Sequence, residues 1–273
     1  MRKKLYICAI VVFAAVFLVS GFMLIRQFAA EKQSADAFAE IAEMIVDTPE
    51  AESQKAEAPN QNAAASPADT DTREERQPLT ASEKYAAVYA QNPDFVGWIR
   101  IDDTKVNYPV MQTPDSPNYY LRRAFDKSYS TYGVPYVQEN CDLAQSDNVI
   151  IYGHNMKSGA MFADLCKYES QDFYDAHKII HFDTLAGYGE YEILAVFKTV
   201  ADDQTGFSYH KFVNAENEAA FDDFVAQCKS LAFYDTGVSA EYGDKLITLS
   251  TCEYSRTEGR LVVVAKQVDP ENP

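Results

Sequence analysis

The first stretch of the chain, residues 5–25, is apolar and carries no charged side chain. Its 21 residues are close to the ~20 that an α-helix needs to cross a bilayer. Arg2, Lys3 and Lys4 precede it, so residues 1–4 are expected to stay in the cytoplasm while the remainder is exported. A cleaved signal peptide is the alternative, but the run is longer than the usual signal core of about 7–15 residues.

A helical pattern continues beyond this anchor, where Phe38, Ile41, Ala42 and Ile45 recur at helical spacing. The spacing is equally compatible with a short amphipathic helix at the membrane surface and with a continuation of the anchor. Asp47–Pro78 then has almost no large apolar residue, which is typical of a disordered linker. As a coil this linker would reach about 30 Å, so 26–78 is predicted to tether a domain close to the membrane.

From residue 79 onward the pattern changes to short apolar runs divided by Asp, Pro, Asn and Gly. Short runs without long helices between them predict a mainly β fold, a barrel or sandwich, rather than a parallel α/β sheet. The predicted strands are Phe95–Ile101, Lys105–Met111, Gly133–Val137, Asn148–Tyr152, Ile179–Asp183, Tyr188–Thr199, Leu246–Thr251 and Leu261–Ala265. The single domain is assigned to residues 79–273.

Three helices are predicted around these strands. Thr80 and Glu83 form a capping-box pattern that starts a helix ending before Pro93. Met161–Tyr168 is predicted to form a second helix. Glu216–Ala232 places Ala220, Phe221, Phe224, Val225 and Cys228 on one face, which predicts an amphipathic helix before the strand at Leu246.

Net charge excludes one class of partner. The chain has 24 Lys and Arg against 41 Asp and Glu, a formal net charge of −17. Nucleic-acid phosphates require basic grooves, so no nucleic-acid partner is expected. The balance fits an acidic domain exposed outside the cell.

Candidate chemistry lies at the junction of the last two predicted strands. Cys252 closes one strand and Arg260 opens the next, which places both at adjacent chain ends. A nucleophilic thiol needs a base beside it, and His154 follows the Asn148–Tyr152 strand through one glycine. Arg260 cannot act as a base, but it can donate hydrogen bonds to an oxyanion.

Neighbouring residues compete for these roles. Arg256 is an alternative to Arg260, which is preferred because it directly precedes the last strand. Ser250 shares the strand period of Cys252, and Ser250 and Thr251 are predicted to bind substrate. Glu253 should point away from Cys252, and no acidic residue that orients His154 can be identified.

The remaining cysteines and histidines predict no further site. Outside the anchor, Cys141, Cys166, Cys228 and Cys252 could form two disulfides, but a domain of this size does not require them. Pairing Cys252 would also abolish the proposed chemistry. Cys166 and Cys228 fall in apolar helical patterns and are expected to be buried. No metal or cofactor is predicted.

Together these segments resemble a known family. TLSTC followed by an arginine and LVVVAK, with YGHNM upstream, is similar to sortases and most similar to class B. The resemblance continues through NPDFVGWIRIDDTKVNYPVMQ (92–112), YYLRRAF (119–125) and GHNMKSGAMFADLCKY (153–168). It covers about residues 80–268, the whole part able to form a core.

This resemblance implies a closed β-barrel of about eight strands, with an N-terminal helix and a helix before the catalytic strand. It implies a membrane-anchored cysteine transpeptidase that cuts a C-terminal sorting signal of exported surface proteins, NPxTx or a related pentapeptide. Cys252 would attack the threonine carbonyl to form a thioacyl intermediate. Arg260 and backbone amides would stabilise the oxyanion, and His154 would protonate the leaving amine.

The acceptor implied by the resemblance is an amine of a cell-wall precursor, or a pilin lysine in a polymerising variant. Two other functions remain open from the residues alone. One is a hydrolytic cysteine endopeptidase that releases the intermediate to water. The other is a non-catalytic wall-binding module in which Cys252 is structural.

Overall fold

The computed structural model describes residues 2–45, 79–201 and 205–268. The predicted linker Asp47–Pro78 lies outside the described residues. The first element is a helix, α1, over Arg2–Glu43.

Within these described residues, eight strands close into one barrel in the order β1-β2-β3-β4-β7-β8-β6-β5. Their bounds are β1 Phe95–Arg100, β2 Asn107–Met111, β3 Tyr136–Val137, β4 Asn148–Tyr152, β5 Ile179–Thr184, β6 Glu190–Val200, β7 Leu246–Cys252 and β8 Gly259–Gln267. Neighbouring strands are antiparallel except for two parallel pairs, β2–β3 and β4–β7. The prediction of a mainly β, closed barrel of about eight strands is confirmed.

Two predicted elements have different forms in the structure. The strand predicted from Gly133 is confined to β3 because Gly133 has a left-handed φ of +63°. A Cβ there would lie 2.7 Å from the Tyr120 carbonyl oxygen, so this turn requires glycine. The helix predicted after the histidine loop is a 3₁₀ helix, η2, over Phe162–Glu169.

The burial pattern of η2 explains its geometry. Phe162, Leu165 and Tyr168 are its large buried apolar residues, and they recur every three positions. A 3₁₀ helix has three residues per turn, so this spacing puts all three on one face. A short α-helix, α4, follows over Gln171–Ala176 and was not predicted. Two further 3₁₀ turns are η1 at Tyr119–Arg122 and η3 at Tyr209–Lys211.

Strand β7 is covered on both faces. Ile247 and Leu249 belong to the cluster that fills the barrel, whereas Leu246 belongs to a second cluster outside it. Helix α5, Glu218–Leu231, supplies Phe221 and Phe224 to this outer cluster. The predicted amphipathic helix before the Leu246 strand is therefore confirmed. Packing on both sides holds the end of β7 in a fixed position.

The capping box at Thr80 is present. The Thr80 hydroxyl oxygen accepts from the Glu83 amide, and a Glu83 carboxylate oxygen accepts from the Thr80 amide. The helix that it starts is divided at Tyr85 into α2, Ala81–Lys84, and α3, Ala86–Gln91. The Tyr85 side chain is buried, and its hydroxyl donates to Asp183 Oδ2 on β5 at 2.6 Å.

Helix α1 is continuous, with no separate amphipathic helix after the apolar run. Of the two alternatives that the sequence allowed, the structure has the continuation. Phe13–Glu43 is a candidate membrane span, because it is long enough and contains an 18-residue stretch apolar enough to cross a membrane. Towards its end Ile41 is only 5% exposed and packs against the barrel domain.

Candidate active site

The parallel pairing of β4 with β7 brings the histidine loop to the cysteine. In this register Tyr152, the last residue of β4, lies beside Ser250. The pairing continues past the strand end, because the Gly153 amide donates to the Ser250 carbonyl at 3.1 Å. The Thr251 hydroxyl donates to the Gly153 carbonyl at 2.8 Å. His154 and Cys252 therefore leave neighbouring strand ends side by side.

The antiparallel pairing of β7 with β8 brings the arginine to the same place. Cys252 is directly opposite Arg260 in the register, and both side chains are half-buried. Arg260 Nη1 donates to the carbonyl oxygens of Glu258 at 3.2 Å and Gly259 at 3.0 Å. These bonds restrain the guanidinium and leave its other N–H groups to point elsewhere.

A close backbone approach fixes the start of the histidine loop. A Cβ on Gly153 would lie 2.5 Å from the Phe162 ring, so no other residue fits without displacing that ring. The Phe162 amide also donates to the His154 carbonyl at 2.8 Å. Phe162, the first residue of η2, therefore restrains the backbone at Gly153 and at His154.

The group that orients the His154 ring is a backbone carbonyl. His154 Nε2 lies 2.7 Å from the Leu121 carbonyl oxygen in η1. A carbonyl only accepts hydrogen bonds, so Nε2 carries the proton and donates, and in the neutral ring the lone pair is on Nδ1. Burial lowers the pKa of His154 from its ordinary 6.5, and the nearby Arg122 guanidinium lowers it further, whereas the Leu121 bond acts in the opposite direction. Burial therefore favours the neutral form of the imidazole.

Asn155, the next residue, ties the histidine loop to the cysteine strand. Its Nδ2 donates to the Cys252 carbonyl oxygen at 2.8 Å and lies 3.2 Å from Cys166 Sγ. The Tyr254 hydroxyl donates to the Asn155 carbonyl at 2.7 Å, so the loop after Cys252 is bound to it as well. No role was predicted for Asn155 from the sequence, although it lies within the YGHNM motif.

Ser250 and Thr251 are both almost completely buried, with 1% and 2% of their surface exposed. Ser250 Oγ lies 2.6 Å from the buried Tyr209 hydroxyl of η3. Thr251 is bonded to Gly153, as described above. Both hydroxyls have hydrogen-bond partners within the protein and so stabilise the end of β7.

The competing residues lie outside this arrangement. Arg256 is exposed in the turn between β7 and β8. Glu253 follows the end of β7, and its carboxylate accepts from Ser255 and pairs with Lys198 Nζ at 3.3 Å. Lys198 also pairs with Glu169 at 2.8 Å, so Glu253 anchors the turn to β6 and η2.

Cys141 and Cys228 are buried, whereas Cys166 is half-buried like Cys252, so the predicted burial is confirmed for Cys228 and not for Cys166. Cys141, Cys166, Cys228 and Cys252 are all free. Burial raises the pKa of Cys141 and Cys166 to about 11, and it also raises the pKa of Cys228. Within residues 2–45, 79–201 and 205–268, no group of three His, Cys, Asp or Glu could hold a metal ion.

The chain is similar to known proteins in sequence and in fold. The sortase domain model matches residues 99–268. The chain is 35% identical to sortase B of Listeria monocytogenes over 180 residues, which cover 65% of this chain and 71% of that protein. It is 34% identical to sortase B of Staphylococcus aureus over 178 residues, which cover 64% and 70% respectively.

A solved structure shows the same fold. The Staphylococcus aureus sortase B–substrate complex aligns with a TM-score of 0.62 and 32% identity, covering 68% of this chain and 85% of that chain. The barrel and its relatives therefore define a cysteine transpeptidase that acts at the cell surface. The chain belongs to the sortase family and, by these relatives, to class B.

We expect Asn155→Ala to lower kcat for peptide cleavage about tenfold with little change in KM. The substitution removes the 2.8 Å bond that joins the histidine loop to Cys252, and a lost hydrogen bond of this kind is worth about 1–3 kcal/mol. Steady-state kinetics on a fluorogenic sorting-signal peptide measures the effect.

Asn214→Ala is the matched control. Asn214 Oδ1 accepts from the Asp147 amide just before β4, at the opposite end of that strand from His154. It should leave kcat unchanged. Equal losses from the two substitutions would show that Asn155 contributes only general stability.

Proposed function

We propose that Cys252, His154 and Arg260 form the catalytic site of this sortase and that it transfers a cleaved sorting signal through a thioacyl intermediate to an amine. The observation that carries the proposal is the convergence of all three residues at the joined ends of β4, β7 and β8. Sortases act on sorting-signal-bearing surface proteins, and this family membership supplies the substrate class.

In the first half-reaction, Cys252 Sγ bonds to the carbonyl carbon of the signal's threonine. His154 Nδ1 accepts the thiol proton, because Nε2 is already committed to the Leu121 carbonyl. Arg260 donates to the oxyanion that develops, together with backbone amides. The C–N bond then breaks, His154 returns the proton to the leaving amine, and a thioester remains on Cys252.

In the second half-reaction, an incoming amine attacks the thioester carbonyl. His154 takes a proton from this amine, the new amide forms, and the Cys252 thiol is regenerated by the same proton. No outside energy source is needed, because the thioester retains enough of the original amide-bond energy for aminolysis. We propose an NPxTx-like or related pentapeptide as the signal and a cell-wall precursor as the source of the amine.

The burial of Ser250 and Thr251 supports a positioning role more than direct contact. We propose that any part they play in substrate binding is indirect, through Tyr209 and Gly153. The apolar segment of α1 supports membrane anchoring, with the N-terminus inside and the barrel outside.

The decisive experiment incubates the enzyme with a panel of sorting-signal peptides, with and without an amine. A transpeptidase forms the peptide–amine conjugate, and the conjugate displaces the hydrolysis product as amine concentration rises. A hydrolytic endopeptidase would give the same products at every amine concentration. A wall-binding module would leave all peptides intact.

We expect Cys252→Ala to abolish cleavage and His154→Ala to reduce it nearly to background. Cys166→Ala and Cys228→Ala should retain activity, since burial keeps their thiols protonated. Peptide cleavage followed by mass spectrometry gives the rates, and circular dichroism verifies the fold. Cleavage by the Cys252→Ala enzyme would overturn the mechanism.

Lysine should not replace Arg260. The Arg260 guanidinium donates to two backbone carbonyls and can still direct other N–H groups at an oxyanion. The ammonium of a lysine is instead a strongly hydrated point charge. Loss of one oxyanion donor lowers kcat by about a hundred- to thousandfold, and we expect a decrease of that order for Arg260→Lys. The exposed Arg256 provides the control, since Arg256→Lys should be silent. If Arg256→Lys lowered kcat and Arg260→Lys did not, Arg256 would be the catalytic arginine instead.

The pH dependence should follow His154. The neutral ring is the base, so kcat/KM should fall as pH is lowered through its folded-state pKa, which lies below 6.5. Arg122→Gln removes a charge that lowers this pKa and should move the acid limb to higher pH. Arg123→Gln is the control, because Arg123 is occupied by the Lys127 carbonyl and the Tyr119 ring. A shift to lower pH with Arg122→Gln would contradict the assignment.

A further inference from the structure

The end of α1 packs against the catalytic domain. Ile41 shares a buried cluster with Tyr85 and Val88, which follow residue 79 in the chain. The Phe38 ring meets the Tyr108 ring edge-on, with centroids 5.0 Å apart. The Gln91 amide at the end of α3 also donates to Met44 Sδ at 3.0 Å. We call Phe38, Ile41, Ala42 and Ile45 the docking face.

The chain returns to the same surface at residue 79. Ala81 is 2% exposed and belongs to the same buried cluster as Ile41. The Leu79 carbonyl accepts from the Tyr188 hydroxyl at 2.8 Å, just before β6. Ala42 and Ile45 line one small cavity together with Lys84 and Tyr85. Both ends of segment 46–78 are therefore fixed on one side of the barrel.

A segment whose two ends are fixed to one body cannot set the distance between that body and a third object. We propose that the docking face binds the catalytic domain to its own membrane anchor, so that the length of 46–78 does not set the distance between the domain and the membrane. The partner of the docking face is the surface of the same chain's catalytic domain that includes Ala81, Tyr85 and Val88. The proposal rests on the anchoring role proposed above for α1.

The clamp changes where the active site operates. Arg26 is the first charged residue after the apolar run, and Phe38 lies twelve positions further along the same helix. At 1.5 Å per residue the docking face begins about 18 Å from that charge. The barrel is held near the membrane in one orientation, instead of moving within the ~30 Å reach of a coil. Membrane-linked reactants then reach the active site at a fixed distance from the membrane surface.

The test uses the full chain in lipid vesicles with energy transfer from a dye at the exposed position 242 to dyes in the lipid. Segment 46–78 is replaced by Gly/Ser segments of about half and about twice its length. Transfer should be the same for both, because the docking face sets the height. Transfer that decreases with segment length in the otherwise unchanged chain would overturn the proposal.

A matched pair of substitutions isolates the docking face. Ala42 packs against the domain, whereas Ala39, three residues earlier, is exposed. With Ala42→Asp, transfer should become length-dependent, since the reach of a coil doubles when its length increases fourfold. Ala39→Asp should behave as the parent chain does. Identical behaviour of the two variants would contradict docking.

Two measurements distinguish the docking proposal from the proposal that α1 anchors the chain in the membrane. Cosedimentation with vesicles measures anchoring alone, so a chain that stays in solution refutes the anchor. Hydrogen exchange over residues 38–45 measures docking with or without a membrane: protection should be lost in Ala42→Asp and kept in Ala39→Asp. Cleavage of a soluble peptide should be equal in both variants, which shows that both are folded.

Discussion

The site depends on the parallel pairing of β4 with β7. These strands are far apart in sequence, and the register that sets Tyr152 beside Ser250 also sets the histidine loop beside Cys252. A shift of one residue would turn every side chain of β7 to the other face, moving Cys252 from the outer surface toward the barrel interior. Packing of β7 by the inner cluster and by α5 opposes such a shift.

The chemistry then follows from what surrounds the strand ends. Burial lowers the pKa of His154 and so favours its neutral form, and a carbonyl rather than a carboxylate selects the tautomer of the ring. A buried carboxylate at that position would favour the imidazolium and raise the pKa. In the proposed mechanism, His154 is the neutral base for the Cys252 thiol, and Arg260 supplies positive charge where the oxyanion forms.

Strand positions could be predicted because alternating and apolar runs report burial directly. Leu246–Thr251 and Asn148–Tyr152 were placed almost to the residue. The location of Cys252 and Arg260 at facing chain ends followed from the same pattern. The 3₁₀ form of η2 was missed, although its three-residue spacing of buried side chains was available in the sequence.

Several contacts of the structure could not be predicted from the pattern of side chains. The Leu121 partner of His154 is a backbone atom that every residue possesses, so residue identity cannot reveal it. The strand period predicted that Ser250 lines the substrate groove, but it could not show that the Ser250 hydroxyl is hydrogen-bonded to Tyr209. The docking of α1 likewise joins segments separated by residues 46–78, and composition there indicated a spacer without showing where its ends lie.

The most direct test of the central claim is to isolate the acyl-enzyme itself. Rapid acid quench of the enzyme with a cognate sorting-signal peptide, followed by intact-mass and peptide mapping, should show one adduct of the N-terminal fragment on Cys252. That adduct should disappear on addition of an amine, with the conjugate appearing in equal amount. An adduct on another residue, or conjugate formation with no acyl-enzyme on Cys252, would contradict the account.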